Sequence, residues 1–389
     1  MYLLINVSIV GAGQTKFGRH DDYDLRELFA LAAHEAIEEA GITPKDVEAA
    51  FIGNLSADQF NRQTHIAPLM ADFAGMKGIP ATKCEAACAS SATALRAAIL
   101  AIESGQHDVV MAAGVEKMTD LATPGVIETL AMAADSTFEA QPGITFPGIF
   151  AILAVAHMAK YGTTKEQMAA VAVKNHKNGV HNPLAQYQKE ITLEKALSSR
   201  MVAWPLGLFD CSPITDGAAA VILTKNKKAR KFTDAPVKIV ASEQANDTMN
   251  LCDRTNLTSL YAARTASHRA YKQARIHPQD VDFAEVHDCF TIAEIIATED
   301  LGFFKPGKAG PAVEEGLTQL DGEVAINTSG GLKAKGHPVG ATGVAQIIEL
   351  YHQLRNEAGK RQVSSPNVGL AHNVGGTGAT CAIHICERW

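Results

Sequence analysis

The sequence predicts an α/β protein made of two copies of one unit. Three observations lead there. Short apolar runs of strand length alternate with amphipathic helical stretches along the chain. Segments of the first half recur in the second half in the same order. The chain has 389 residues and 47% hydrophobic side chains, enough to build the cores of two ordinary units.

The first strand is expected over residues 7–10, running into Gly11-Ala12-Gly13. A glycine turn after a strand invites a dinucleotide-binding reading, but the next glycine is Gly18, so the G-x-G-x-x-G spacing fails. The glycines are read as a tight turn. Residues 25–40 form an amphipathic helix closed by Gly41, followed by a turn and a strand in ITPKDVEAAFIG. In KCEAACASSATALRAAILAIESG, small residues run from Ala86 to Ala94 around one thiol, Cys88. Leu95, Ile99 and Ile102 then share a helix face, with Ser104 and Gly105 as the stop. Further strands are expected at 109–113, 219–223, 238–241, 281–286 and 368–371. The charge run KNKKARK, with residues 233–236, reads as an exposed linker.

The repeat rests on four matches. Ala36-x-x-x-Ala40-x-Ile42-x-Pro44-x-Asp46-Val47 returns as Ala270-x-x-x-Ala274-x-Ile276-x-Pro278-x-Asp280-Val281. SATALRAAI pairs with GATGVAQII, VVMAAGV with VGLAHNV, and DGAAAVIL with TGATCAIH. The spacing between partners shortens before the last match, so the first half carries an insertion. The expected division is residues 1–118 with 214–234 as the first half, 119–213 as an insertion over the active site, and 235–389 as the second half. Within the insertion, QPGITFPGIF reads as loop, 151–160 and 164–177 as helices, and NHKNGVHNPLAQYQKE as a polar tract. In the register that pairs Ala92-Thr93 with Ala341-Thr342, Cys88 falls opposite His337. A pseudo-twofold would bring this thiol and imidazole face to face at equivalent helix starts.

Composition narrows the function. A net charge of −7 argues against a general nucleic-acid binder. Seven cysteines without a C-x-x-C pair are too few for a disulfide scaffold and point to a reducing, cytoplasmic setting. MYLLINVSIVGAG lacks a basic leader and cleavage site, and no apolar run is long enough for a membrane.

Four clusters carry possible chemistry. Cys88 sits at a helix start, where unpaired backbone N–H groups are expected to lower its pKa. A buried cysteine in a close-packed Ala/Ser helix fits the same stretch. His287-Asp288-Cys289-Phe290 puts two titratable groups and a thiol at a strand-to-helix junction. Alternatively, Asp288 caps that helix and the others fill space. The run from Gly330 to Gly343 holds His337 among glycines that permit close backbone approach, with Pro338 in the first turn of the next helix. The run from Ala371 to Gly378, with His372, Val374 and Gly375, reads as a glycine turn whose N–H groups can form an oxyanion hole. His157, His176 and His181 are read as surface or packing residues. No Cys/His spacing suits a metal, so none is expected.

These motifs resemble the thiolase family over nearly the whole chain: ACASSATAL, DGAAAVIL, GGLKAKGHPVGATG and the last glycine-rich turn. HDCF and KNHKNGVHNP resemble the sterol-carrier-protein type and archaeal acetoacetyl-CoA thiolases. The common thiolase pattern has N-E-A-F where this chain has residues 287–290, and a cysteine where it has His372. The resemblance implies that the second catalytic cysteine has moved to Cys289. A thiol there argues against ketoacyl synthases and hydroxymethylglutaryl-CoA synthases.

The resemblance further implies a five-layer αβαβα fold, coenzyme A thioester substrates, no tightly bound cofactor and ping-pong chemistry. Cys88 would be the nucleophile, His337 its activator and Cys289 the acid/base. His337 and His287 would hold an enolate oxygen, and the N–H groups of Cys88 and the Val374-Gly375 turn an acyl oxygen. The implied reaction condenses two acetyl-CoA to acetoacetyl-CoA, feeding the mevalonate pathway. A degradative 3-ketoacyl-CoA thiolase and a non-catalytic acyl-CoA or lipid binder are the alternatives. Implied partners are a second copy or a tetramer, hydroxymethylglutaryl-CoA synthase, and an OB-fold zinc-ribbon accessory protein.

Overall fold

The structure, a computed structural model, describes residues 4–389. Its strands are β1 (Val7–Gln14), β2 (Ala49–Gly53), β3 (Ala81–Cys84), β4 (Val109–Glu116), β5 (Met201–Ala203), β6 (Leu206–Gly207), β7 (Gly217–Lys225), β8 (Val237–Asn246), β9 (Phe283–Glu285), β10 (Ala325–Ile326), β11 (Val368–Gly375) and β12 (Thr380–Arg388). The helices that organise it are α1 (Leu25–Glu39), α2 (Ser90–Glu103), α3 (Phe146–Tyr161), α4 (Lys165–Gly179), α5 (Tyr261–Ala274), α6 (Thr291–Asp300) and α7 (Thr342–Leu354). Residues 1–3 of the expected N-terminal strand segment lie outside the described residues.

The main sheet runs β10-β9-β11-β12-β8-β1-β7-β4-β2-β3. Cut between β8 and β1, the two halves have the same strand order and the same directions. The pairs β2–β3 and β2–β4 are parallel, as are β9–β10 and β9–β11. The pairs β4–β7 and β1–β7 are antiparallel, as are β11–β12 and β12–β8. The halves join where Val7, Ser8 and Ile9 pair with Ile239, Lys238 and Val237.

Both faces of each half are covered, which is why the strands read as near-continuous apolar runs. On the outer face of the first half, α1 packs Leu28, Phe29 and Ile37 against Val10, Ile52 and Met111. On the outer face of the second, α5 and α6 pack Ala266, Ile292 and Ile295 against Leu370, Ile383 and Ile385. Between the halves lie α2 and α7, whose Leu95, Ile99, Val344 and Ile347 meet Val7 and Val221 on one side and Ala371 and Cys386 on the other. The result is five layers, αβαβα. The two central helices cross closely: a Cβ on Gly343 would sit 2.4 Å from the Ala92 nitrogen.

Local chemistry explains most boundaries. Asp24 caps α1 by accepting from the N–H groups of Arg26 and Glu27, and Glu27 returns a bond to the Asp24 N–H. Gly41 and Gly105 take left-handed φ values of 66° and 81° just past their helices. The tight turn expected at Gly11-Ala12-Gly13 is not there. Strand β1 continues through them with a register shift against β7 between Ile9 and Gly11, and the glycines serve packing: a Cβ on Gly11 or Gly13 would lie 2.3 Å from the carbonyl oxygens of Ala36 or Ala32 in α1.

The insertion also departs from expectation. Part of QPGITFPGIF is helical, because Pro147 starts α3 in its first turn. The polar tract begins inside α4, in line with the helix expected over 164–177, and there a polar face is buried against the second half. Lys174 pairs with Glu294 at 2.7 Å, Asn175 donates to Asp288 at 2.8 Å, and Asn178 donates to the Asn327 carbonyl at 3.0 Å. Beyond the linker's short helix (Asn226–Ala229), the chain re-enters the sheet at β8.

Candidate active site

Cys88 sits on the loop between β3 and α2, immediately after Ala87, which holds a left-handed φ of 50°. The Ser90 hydroxyl fastens that loop, accepting from the Ala86 N–H at 3.0 Å and donating to the Ala87 carbonyl at 2.6 Å. Gly375 lets β11 pass closely, since a Cβ there would lie 2.2 Å from the Ala86 carbonyl oxygen. The thiol packs against the apolar set Phe60, Met118, Val126 and Val339.

His337 arrives from the other half, on the glycine loop before α7. Its N–H donates to the Thr215 hydroxyl at 3.0 Å, and its Nδ1 lies 2.6 Å from the Thr342 hydroxyl. Thr342 already donates to the Pro338 carbonyl, so it accepts from Nδ1–H. The proton is therefore on Nδ1, and Nε2 presents a lone pair. His287, after β9, has the opposite arrangement. Its Nδ1 accepts from the Asn373 amide at 3.0 Å, which puts the ring proton on Nε2. Neither Nε2 has a partner among the described residues. The Cys88 sulfur and one nitrogen from each ring all lie within 4.8 Å of one another, with the rings edge to face at 5.1 Å.

Cys289 is buried beside this group. Its carbonyl accepts from the Ser212 N–H at 2.9 Å and from the Lys333 ammonium at 3.5 Å. Asp288 does not cap α6, whose N-cap is Phe290. It accepts from the N–H groups of Leu332 and Lys333 at 2.7 and 3.3 Å, tying the HDCF loop to the loop that carries His337. Gly331 makes room for this, since a Cβ would lie 2.4 Å from the Asp288 carboxylate.

The expected last turn is partly strand. His372, Val374 and Gly375 lie on β11, and the turn begins at Gly376. The backbone N–H that reaches the Cys88 sulfur belongs to Gly376, one residue beyond the expected pair. His372 stands behind the site: its Nδ1 accepts from the His287 N–H at 3.3 Å.

At rest the thiols and imidazoles of the site are uncharged. Cys88 was expected to be acidified by the helix start, but burial dominates and pushes its thiol up to about 12, with the Gly376 N–H pulling the other way. The Glu116 carboxylate, itself raised to about 7 by burial, adds to the upward push. Burial also drives Cys289 well above the usual thiol range, helped by Cys88 and opposed by Lys333. Burial lowers His337 to about 3, assisted by Lys333 and Lys335, and lowers His372 to about 3. His287 falls well below the usual imidazole range, through burial and then its histidine neighbours.

A cavity of about 370 Å³ is lined by Tyr187, Lys189, Lys195, Phe209, Cys211 and Lys333, the last of which reaches the Cys289 carbonyl. Its lining runs from exposed Lys189 and Lys195 to buried Lys333. His176 also lines it, so reading that residue as surface or packing was incomplete. His157 is a packing residue, bonded to Thr163 and Glu299. Sequence reading quoted Thr342 and Asn373 within motifs without giving either the role of orienting an imidazole, and it included Gly376 in the expected oxyanion-hole run without singling it out. It quoted Lys333 within a motif without assigning it a role, although a lysine between Leu332 and Ala334 was the available signal.

Comparison with known proteins agrees with this architecture. Residues 7–227 match the thiolase N-terminal domain, and residues 243–388 the thiolase C-terminal domain-like family. The chain is 51% identical to an acetyl-CoA acetyltransferase of Methanothermobacter thermautotrophicus, covering 98% of this chain and 100% of that one. It is 37% identical to bovine sterol carrier protein 2, covering 96% of this chain and 70% of the relative. Among solved structures, the Ascaris suum Acat5 thiolase in complex with coenzyme A shares the fold, with a TM-score of 0.74 at 18% identity over 99% of this chain and 100% of that one. On the matches across both halves, the chain belongs to the thiolase family of acyltransferases.

Proposed function

We propose that the protein condenses two acetyl-CoA molecules to acetoacetyl-CoA and coenzyme A through an acetyl-cysteine intermediate. The observation that carries this reading is the meeting of Cys88, His337 and His287 within 4.8 Å, each imidazole presenting an unpartnered Nε2. The identity to a relative named acetyl-CoA acetyltransferase supports the substrate.

In the first half-reaction, the Cys88 thiol gives its proton to the His337 Nε2 lone pair as sulfur attacks the acetyl carbonyl. A raised thiol pKa and a neutral imidazole favour transfer at the moment of attack over a standing thiolate. The N–H groups of Gly376 and Cys88 hold the developing oxyanion. The C–S bond to coenzyme A breaks, and the leaving thiolate takes the Cys289 proton. The site then holds acetyl-Cys88, an imidazolium at His337 and a thiolate at Cys289.

In the second half-reaction, the Cys289 thiolate removes a proton from the methyl of a second acetyl-CoA. The enolate oxygen accepts from Nε2–H of His287 and of the still-protonated His337. The enolate carbon attacks acetyl-Cys88, a C–C bond forms and the C–S bond breaks. Cys88 regains its proton from His337, and Cys289 retains the substrate's proton. Every protein group returns to its starting state. The lysine-rimmed cavity suits the anionic tail of coenzyme A, and residues 119–213, which supply much of its lining, act as the lid over the site.

A consuming partner would help an uphill condensation by mass action, so hydroxymethylglutaryl-CoA synthase with its accessory protein, in the mevalonate pathway, fits the role. No described helix is long and apolar enough to cross a membrane, and we assign the chain to the cytoplasm. The edge strand β3, with exposed Thr82 and Lys83 beside the Cys88 loop, is the surface we assign to self-association.

Thiolysis of acetoacetyl-CoA and of a long-chain 3-ketoacyl-CoA by the purified chain tests the reading. Turnover of the short substrate alone is expected. Turnover of both would make it a degradative thiolase, and no acetyl label on Cys88 from acetyl-CoA would make it a binder.

A further inference from the structure

Lys333 is 2% exposed, yet no carboxylate among the described residues lies within ion-pair distance of its ammonium. Its buried neighbours in the fold are paired: Lys335 with Glu285 at 3.3 Å and Lys174 with Glu294 at 2.7 Å. The Lys333 ammonium instead stands 3.5 Å from the Cys289 carbonyl and 6.0 Å from the centre of the Phe290 ring. The Asp288 and Asp210 carboxylates attract it only from beyond ion-pair distance, and an interior cation without a close counter-ion is costly to keep. Its position is also fixed, because the backbone N–H groups of Leu332 and Lys333 both donate to Asp288, the residue before Cys289.

We propose that Lys333 is a positioning residue whose ammonium stabilises the Cys289 thiolate formed between the two half-reactions. This rests on the proposed condensation mechanism. The need is evident from the surroundings. When Cys289 gives its proton to departing coenzyme A, it becomes an anion in a buried site. Asp288 adjoins it and disfavours its charge, while the Phe290 N–H is the backbone donor that faces it. His337 is cationic only during part of the cycle. Lys335 is committed to Glu285. Lys333 is the cation held against Cys289 throughout, and the thiolate that appears during turnover supplies the close counter-ion that its resting carboxylate neighbours do not. Facing Lys333 from other elements are Cys211 and Asp210 on the stretch before β7, Asp288 on the HDCF loop, His176 on α4, and His337.

The test compares Lys333→Met, Lys333→Gln and Lys333→Arg. In a Cys88→Ala background, the rate of Cys289 alkylation by iodoacetamide is measured at pH 7, 8 and 9 by peptide mass mapping, with exposed Cys252 as the reference thiol. The Met and Gln variants should slow Cys289 alkylation about tenfold or more at each pH, the loss of thiolate expected for a thiol pKa raised by about one unit. The Arg variant should stay within about threefold of the parent. With Cys88 intact, exchange of acetyl-CoA methyl protons with D2O should fall about tenfold in the Met variant. Acetylation of Cys88 by p-nitrophenyl acetate, whose leaving group needs no proton, should change less than about twofold. An unchanged Cys289 alkylation rate in both neutral variants would overturn the proposal, as would equal losses in exchange and p-nitrophenyl acetate labelling. If the parent chain takes no acetyl group from acetyl-CoA, the condensation reading fails, and the alkylation rate still decides whether Lys333 tunes Cys289.

Discussion

The hydroxyl of Thr342 lies 2.6 Å from Nδ1 of His337, and by accepting its proton it turns the opposite nitrogen into a base aimed at Cys88. The bond spans a loop and the first residue of α7, so helix formation and tautomer selection are one event. Thr342→Val keeps the shape but leaves a buried N–H without an acceptor, at a cost of about 1–3 kcal/mol. Acetylation of Cys88 should slow about tenfold or more, read by intact mass against time.

The two thiols should separate by half-reaction. Cys88→Ala should abolish acetyl labelling and lower condensation by at least about a thousandfold. Cys289→Ala should keep labelling of Cys88 by p-nitrophenyl acetate and lose condensation. Full condensation in Cys289→Ala, with normal acylation, would remove Cys289 from the role of base.

His287 presents Nε2–H because Asn373 occupies its other nitrogen. His287→Ala deletes one enolate donor and should lower methyl-proton exchange of acetyl-CoA by about a hundredfold. Asn373→Asp would instead accept from Nδ1–H and reverse the tautomer, so it should also lower exchange.

Acid stability should depend on His384, buried and bonded to the Ala92 carbonyl at 3.1 Å. Burial lowers it from 6.5 to about 4. The unfolded chain therefore binds the proton more readily, and the contribution to stability is complete above pH 6.5. It is lost as pH falls from 6.5 towards 4, at about 1.4 kcal/mol per pH unit. Between pH 6.5 and pH 5 this amounts to about 2 kcal/mol. Urea melts of the parent and His384→Asn should converge over that range, because the variant lacks the titration.

Gly343 marks the crossing of α2 and α7, with Ala92 2.4 Å from the place a Cβ would occupy. Gly343→Ala should destabilise the fold by about 1–3 kcal/mol. It should also depress Cys88 acetylation in the folded fraction, since the displaced helices carry the thiol and imidazole loops. Thermal melts and intact mass report the two effects.

What the sequence made legible follows from how each residue acts. Cys88, His287, Cys289 and His337 stood out because thiols and imidazoles at helix starts and strand ends suggest chemistry by their own side chains, and the structure brings Cys88, His287 and His337 together. The face of Leu95, Ile99 and Ile102 was legible from its spacing, and all three are buried. Thr342 and Asn373 were not, because a hydroxyl or amide that fixes a tautomer has no pattern of its own. Gly376 acts through its backbone, so its identity carries only conformational information. Gly11 and Gly13 misled for a related reason. The residue that makes a turn possible also lets a strand touch a helix, and only the neighbour distinguishes the two. The thiol pKa was misjudged because the helix start is a local feature of the chain, whereas the apolar wall of Phe60, Met118, Val126 and Val339 is assembled from distant segments.

The shared strand order of the two halves bears on ancestry. Cys88 comes from one copy and His337 from the other, at corresponding loops. A single unit paired with itself has identical residues at both positions, so it can oppose thiol to thiol or imidazole to imidazole, never one to the other. The asymmetric pair exists only where two copies are free to diverge. Joining them in one polypeptide, at the cost of a linker and three paired residues between β1 and β8, makes each copy's partner always the differing one.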